Sequence, residues 1–306
     1  MKKVFIDGSA GTTGLQIYER LNSRADVSLI ILSDEKRKDP AARKEAILEA
    51  DIAFLCLPDD AAREAVALAE DADTCIIDTS TAHRVQEGWT YGFPEIGGLR
   101  EQIKNAKRIA NPGCHASGFI SLAAPLVAQG ILSKDVQLSC FSLTGYTGGG
   151  KKMIADYEEQ KTFPLEAPRL YGLSQSHKHL PEMTKYSCLE KDPVFCPIVA
   201  DFPRGMEAVV ALTKQDTKAT IQDIKEAYKA YYQTGLVHFK ENADENGYLT
   251  ANAYAERDDM EISVFGNEER ILLVSRFDNL GKGASGAALQ NMNIVLGIDE
   301  AFGLNV

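Results

Sequence analysis

Lys2-Lys3-Val4-Phe5-Ile6-Asp7-Gly8-Ser9-Ala10-Gly11-Thr12-Thr13-Gly14 decides how the rest of the chain is read. An apolar run at 2–6 passes directly into glycines three apart. Residues 13–22 then set Leu15, Tyr18 and Leu21 at helical spacing. The order is strand, tight turn, helix. Glycines let such a turn approach a pyrophosphate, whose charge is met by the helix N-terminus. The pattern is G-x-x-G-x-x-G rather than the dehydrogenase G-x-G-x-x-G, so its placement between strand and helix carries the reading. Gly8, Gly11, Thr12, Thr13 and Gly14 are the phosphate-binding candidates; the alternative is a glycine-rich turn with no ligand.

Outward from this turn, residues 27–32, 52–57, 74–77 and 108–110 are further short runs of continuous apolar character, as expected of strands buried on both faces of a parallel sheet. An alanine-rich helix is expected over 59–70 with Asp59 as N-cap. The alternation predicts a doubly wound α/β domain. After Gly113 the texture changes: 136–141, 194–199, 207–212, 261–265 and 270–277 read as strands. Met260, Ile262 and Val264 alternate with polar residues, as on an antiparallel sheet with one wet face. A helix over 220–232, with Ile221, Ile224, Tyr228 and Tyr231 on one stripe, completes an α+β half with a mixed or antiparallel sheet, and the final segment 284–296 is helical again.

The 306 residues amount to about two domains at roughly 150 each. No apolar stretch approaches the ~20 residues of a bilayer span, and the N-terminus runs into a strand rather than a signal peptide. A net charge of −11 without a basic stripe argues against nucleic acid and anionic membranes as partners. The six cysteines lack C-x-x-C spacing, so reduced thiols in a cytoplasmic protein are expected, with neither a zinc site nor a disulfide framework.

Chemistry is concentrated in four places. In Asn111-Pro112-Gly113-Cys114-His115 a strand ends and a helix-like run begins, so Cys114 falls at a helix N-terminus, where the dipole favours a thiolate. Cys56, Cys75 and Cys140, inside apolar strands, read as inert. Ser176-His177-Lys178-His179-Leu180-Pro181-Glu182 supplies an imidazole to pair with such a thiol; half of a metal site is the weaker alternative, because no partner cluster of carboxylates and histidines accompanies it. Arg84, after the fourth strand, and Arg204, in a turn of the second half, are anion-gripping candidates. Near the end of the second strand, Asp34 favours NAD, whereas Ser33, Arg37 and Lys38 welcome the 2′-phosphate of NADP, which is preferred. These parts make one chemistry: a thiolate attacks an acyl phosphate, phosphate leaves, and NADPH reduces the resulting thioester to an aldehyde.

The motifs resemble the N-acetyl-gamma-glutamyl-phosphate reductase family in its shorter branch, akin in architecture to aspartate-semialdehyde dehydrogenase. The carriers are G-S-A-G-T-T-G (8–14), F-L-C-L-P-D-D (54–60), D-T-S-T-A-H-R (78–84), Y-G-F-P-E (91–95), N-P-G-C (111–114), T-G-Y-T-G-G-G-K (144–151), H-K-H-L-P-E (177–182), F-P-R-G-M (202–206) and D-N-L-G-K-G-A-S-G-A (278–287). The resemblance implies Cys114 as nucleophile and His179 as acid/base, with His177 as fallback. It implies substrate contacts at Arg84, Asn111, His177 and Arg204, and cofactor contacts at Ser80, Asn279 and Gly281. It also implies NADP(H) as cofactor, no metal, a dimer or tetramer, and a nucleotide domain of 1–112 plus 284–306 around a catalytic domain of 113–283. One departure stands out: the residue after the nucleophile, often Tyr in the family, is His115 here, a competitor for the role of base that is expected to point away from Cys114. The rival readings are a reductase of an aspartyl or aminoadipyl phosphate, and a non-catalytic NADP-binding redox sensor.

Overall fold

Strand β1 (Lys2–Asp7) buries Val4, Phe5 and Ile6 in succession, as a strand covered on both faces does. The computed structural model describes residues 1–70 and 72–306. The chain divides into two units: Met1–Pro94, Leu99–Pro112 and Ala284–Leu304 form the first, and Glu95–Gly98, Gly113–Gly283 and Asn305–Val306 the second.

In the first unit, β1 is followed by α1 (Thr12–Asn22), β2 (Val27–Ile30), α2 (Pro40–Glu49), β3 (Ile52–Leu55), α3 (Asp59–Leu68), β4 (Cys75–Asp78), β5 (Thr90–Tyr91), α4 (Leu99–Lys104) and β6 (Arg108–Ala110). The six strands are all parallel, in the order β2-β1-β3-β4-β6-β5. This is a doubly wound sheet. Its strand order reverses between β1 and β3, which places the ligand crevice at the carboxyl ends of those two strands.

Two local expectations change, and α2 is a helix that the sequence reading does not anticipate. Helix α1 buries Gly14, Ile17 and Leu21, whereas Leu15 is exposed. The reason lies at Gly14: a Cβ there would overlap the carbonyl oxygen of Gly8, so the helix packs down on the face that lacks a side chain. Asp59 is not a cap but the first residue of α3, after Pro58, and its carboxylate accepts hydrogen bonds from the Thr81 N–H at 3.0 Å and from Thr81 Oγ1. Helix α2 has no apolar stripe in the sequence because Arg43 is among its buried residues, donating from Nε to Asp7 Oδ2 at 3.0 Å. Asp39 caps it by accepting from the Ala41 N–H, and Pro40 occupies the first position.

The second unit runs α5 (Cys114–Ala128), β7 (Ser139–Gly145), α6 (Gly150–Glu158), β8 (Arg169–Leu170), α7 (Leu180–Tyr186), β9 (Val194–Ala200), β10 (Met206–Thr213), α8 (Ile221–Tyr231), β11 (Val237–Phe239), β12 (Met260–Gly266) and β13 (Arg270–Phe277). Its seven-stranded sheet has the order β11-β12-β13-β10-β7-β9-β8. The β11/β12 and β7/β9 pairs are parallel and the others antiparallel. Residues 115–127 of α5 are all buried. Gly118 lets the helix approach the sheet, since a Cβ there would stand 2.8 Å from that of Ala208. Pro125, inside the helix, has no N–H for the carbonyl of Ser121. Tyr232 Oη donates to that carbonyl instead, at 2.7 Å. A π-helical turn, Gly281–Ser285, then leads into α9 (Gly286–Leu296), which belongs to the first unit. No helix among the described residues is long and apolar enough to cross a membrane.

The wet face expected on β12 is dry. Glu261 and Ser263, the polar half of the alternation, are fully buried, and Glu261 pairs with the equally buried Arg276 of β13. The same sheet is open elsewhere: Phe141 and Leu272 are exposed, on strands where Phe141 pairs with Val209 and Leu272 with Ala211.

Candidate active site

Within the first unit, a cavity of about 320 Å³ opens at the carboxyl ends of β1 and β2, floored by Gly8, Ser9 and Ala10 and walled by Ile31, Leu32 and Leu57. Gly8 has φ +88° and no room for a side chain, because a Cβ would overlap the carbonyl oxygen of Cys56. Gly11 is different. A Cβ there meets only the carbonyl oxygens of Gly8 and Cys56, at 3.4 and 3.8 Å, so the protein's own packing does not require glycine. Among the described residues, helix α1 begins without a side-chain cap, and Thr12 Oγ1 is buried without a hydrogen-bond partner. Uncapped N–H groups, an unused hydroxyl and an open approach fit the phosphates of a dinucleotide. Asp34, Arg37 and Lys38 also line this cavity, and Arg37 Nη1 lies 3.2 Å from Asp34 Oδ1. Ser33 is exposed and holds the turn through its carbonyl, which accepts from the N–H groups of Lys36 and Arg37.

The turn after β4, still in the first unit, is held by the buried carboxylate of Asp78. Its Oδ2 accepts from Ser80 Oγ at 2.7 Å and lies 2.6 Å from His83 Nδ1; the His83 ring stacks on Trp89. Ser80 is therefore engaged within the turn. Arg84 is buried, donating from Nε to the Asn111 carbonyl at 3.0 Å and from Nη2 to the Thr79 carbonyl at 3.1 Å. The Asn111 amide donates to the Ala284 carbonyl and accepts from Asn291 Nδ2. Arg84 and Asn111 thus brace the loops after β4 and β6.

In the second unit, Cys114 is the first residue of α5, half-buried, with Gly113 as an N-cap that has no side chain to offer. Glu182 Oε2 accepts from the Gly113 N–H at 3.1 Å, fixing the backbone one residue before the thiol. Gly283 abuts the residue from the other side: a Cβ there would stand 2.9 Å from that of Cys114. Among the other thiols, burial pushes Cys56 up to about 12 and Cys75 to about 11, and Cys140 well above its ordinary value.

Three of the five histidines gather beside this helix start. The ring of His115 lies 5.9 Å from that of His177 and 5.8 Å from that of His179; His177 and His179 are 4.7 Å apart, and Phe195 packs against His115 and His177. The His179 N–H donates to Nδ1 of His177 at 3.2 Å, which places the ring proton of a neutral His177 on Nε2. His115 turns into this cluster rather than away from it, because its ring is held at both nitrogens, by Ser142 Oγ at 2.7 Å and Tyr171 Oη at 2.6 Å. Burial, with a smaller contribution from the nearby His177, pushes its pKa down to about 3, so His115 stays neutral and is unsuited to act as a base. Tyr171 and Ser142 are absent from every motif in the sequence; the only local signal is a tyrosine shortly before the H-x-H pair.

Arg204 is fixed by the loop after β13. Its Nε lies 2.8 Å from Asp278 Oδ2, while Nη2 is buried with no hydrogen-bond partner among the described residues, a donor left for an anion. Asn279, expected to contact cofactor, here accepts from the Gly205 N–H and donates to Thr147 Oγ1, fastening the Arg204 turn. Gly281 has no space for a side chain against the Arg257 carbonyl, and its N–H donates to Asp278 Oδ1. Among the described residues no group of three or more His, Cys, Asp or Glu is arranged to hold a metal ion.

Residues 3–106 match the model of the semialdehyde dehydrogenase NAD binding domain, and residues 114–279 that of the semialdehyde dehydrogenase dimerisation domain. The N-acetyl-gamma-glutamyl-phosphate reductase 2 of Nostoc sp. is 45% identical over 99% of both chains, and the N-acetyl-gamma-glutamyl-phosphate reductase of Chelativorans sp. is 44% identical over 96% of this chain and 98% of its own. The chain belongs to the N-acetyl-gamma-glutamyl-phosphate reductase family. It is an oxidoreductase whose first unit is a Rossmann-type domain for a nicotinamide nucleotide. The fold is also that of aspartate semialdehyde dehydrogenase II from Vibrio cholerae, solved with ASA (TM-score 0.73, 15% identity, 97% of this chain and 98% of that one). It is shared by the Candida albicans aspartate semialdehyde dehydrogenase solved with NADP (TM-score 0.70, 15% identity, the same coverage).

Proposed function

We propose that this chain is the NADPH-dependent reductase of N-acetyl-glutamyl 5-phosphate in arginine biosynthesis, working through a thioester on Cys114. The observation that carries the reading is the half-buried thiol at the uncapped start of α5, among histidines and braced by Glu182 and Gly283. The partial positive charge of the helix start favours the thiolate, and His179 (or His177) accepts the thiol proton. The sulfur attacks the acyl carbon, the C–S bond forms, the bond to the phosphate oxygen breaks and inorganic phosphate departs. A thioester accepts hydride far better than a carboxylate, so two moderate steps replace one hard one. NADPH, when bound, supplies that hydride; collapse of the reduced carbon releases the aldehyde and returns the thiolate. Arg204, with its unused Nη2, is the candidate grip on a substrate anion. Given N-acetylglutamate semialdehyde and NADP, the purified protein should reduce the nucleotide only with phosphate present, and arsenate should substitute. Sustained reduction without either anion removes phosphate as the acyl acceptor, and preference for aspartate semialdehyde reassigns the substrate.

The NADP preference rests on Arg37 and Lys38 sharing a cavity with the glycine turn. A charge-assisted hydrogen bond contributes about 1.5–3 kcal/mol, so the double change Arg37→Ala/Lys38→Ala should raise the KM for NADPH on the order of 10–100-fold while NADH kinetics barely move. Equal effects on both cofactors remove the 2′-phosphate contact. The open apolar face around Phe141 and Leu272 is the surface through which copies of the chain associate. Phe141→Asp is expected to shift the particle to monomer mass in light scattering; an unchanged oligomer places the interface elsewhere.

A further inference from the structure

Three side chains that the proposed chemistry leaves unused stand in a line at the centre of the histidine cluster. Ser142, fully buried on β7, meets Nδ1 of His115, and Nε2 of the same ring meets the phenol oxygen of Tyr171. Two hydrogen bonds pass through a ring that carries one proton, because His115 is neutral. The direction of the line follows from which hydrogen would otherwise be stranded. Among the described residues, the Ser142 hydroxyl has His115 Nδ1 as its one side-chain partner. If Nδ1 held the ring proton, the serine hydrogen would be buried without an acceptor, a loss comparable to a whole hydrogen bond. Ser142 therefore donates to Nδ1, the ring proton sits on Nε2, and Nε2 donates to the Tyr171 oxygen. The phenol's own hydrogen is left over. It is not spent on His115, and it stays in place at neutral pH, since burial and then the charge of a Cys114 thiolate both raise the phenol well above its ordinary value.

We propose that Tyr171 is a catalytic residue whose hydroxyl donates a hydrogen bond to the oxyanion formed when the Cys114 sulfur adds to the acyl carbon, with Ser142 and His115 as positioning residues that set its direction. The proposal rests on Cys114 as nucleophile. No proton moves along the line: the C–S bond forms, the carbonyl electron pair moves onto oxygen, the Tyr171 O–H remains intact, and collapse of the adduct expels phosphate. The same donor serves the oxyanion that precedes aldehyde release. Loss of a single oxyanion donor lowers kcat by about 10²–10³-fold in other acyl-transfer enzymes. Tyr171→Phe should do likewise, with KM and the pH dependence of Cys114 alkylation unchanged. Site-specific 3-fluorotyrosine at 171, nearly the same size but more acidic, should keep the fold and alter kcat. In two-bond proton–nitrogen correlation spectra of the intact enzyme, His115 should show a proton on Nε2 from about pH 5 to about pH 8, and Ser142→Ala should relax that preference. A Tyr171→Phe enzyme within about threefold of wild type, or a His115 protonated on Nδ1, overturns the proposal. If instead Cys114→Ala retains turnover, the nucleophile assignment is what fails.

Discussion

Cys114→Ala is expected to lower turnover by at least about 10⁴-fold and to leave nucleotide binding intact, as befits removal of a nucleophile from sites that act as a unit. The buried sulfurs of Cys56, Cys75 and Cys140 are not poised to substitute. Cys56 and Cys75 are pushed up to about 12 and about 11 by burial and Cys140 higher still, so at neutral pH they are essentially never thiolates. Nucleotide affinity should not change, because the glycine turn, Thr12 and the cavity holding Arg37 and Lys38 all belong to the first unit, whereas Cys114 belongs to the second. Two measurements check this: phosphate-dependent NADP reduction for turnover and titration calorimetry for binding. Intact-mass spectrometry after mixing wild type with acyl phosphate and no reductant adds a third, because an acyl adduct should appear on the wild type and be missing from the variant. Residual turnover above about a hundredth of wild type would contradict the assignment.

The largest effect on stability is expected from Glu261→Ala. Arg276 is almost completely buried, and its guanidinium donates from Nε and Nη2 to Glu261 Oε1, from Nη1 to Glu245 Oε1 at 2.7 Å and from Nη2 to the Ala243 carbonyl. The second carboxylate oxygen of Glu261 accepts from Tyr254 Oη at 2.9 Å. Removing one partner leaves a desolvated charge, at a cost of roughly 3–5 kcal/mol; replacing both by apolar residues of similar size should cost much less. Urea unfolding of Glu261→Ala, Arg276→Met and the double variant Glu261→Leu/Arg276→Met tests this. If the double variant loses as much as the two single ones added together, the pair is not coupled and the explanation of the dry β12 face is wrong.

Continuous apolar runs, glycines at a strand–helix turn and a cysteine after Pro-Gly are local features, and so they were legible. Five of the six strands of the first unit lie within a residue or two of their expected positions, β5 being unanticipated, and Cys114 opens a helix as its flanking residues dictate. A strand buried on both faces has to be apolar throughout, and a helix start has to follow a residue that frees the backbone; both demands are written in neighbouring residues. Arg43 in the core of α2, the dry side of β12 and the inward turn of His115 follow a different logic. Each depends on a partner far along the chain: Asp7 for Arg43, Arg276 for Glu261, and Ser142 and Tyr171 for His115. A polar side chain looks like surface until its partner is known, because burial is tolerable only once the hydrogen bond or opposite charge is in place. Sequence alone thus determined the class of fold, the glycine turn between β1 and α1, and the place of Cys114 at a helix start. Tertiary structure alone decided which polar groups are buried, and with them how the histidine cluster beside Cys114 is wired.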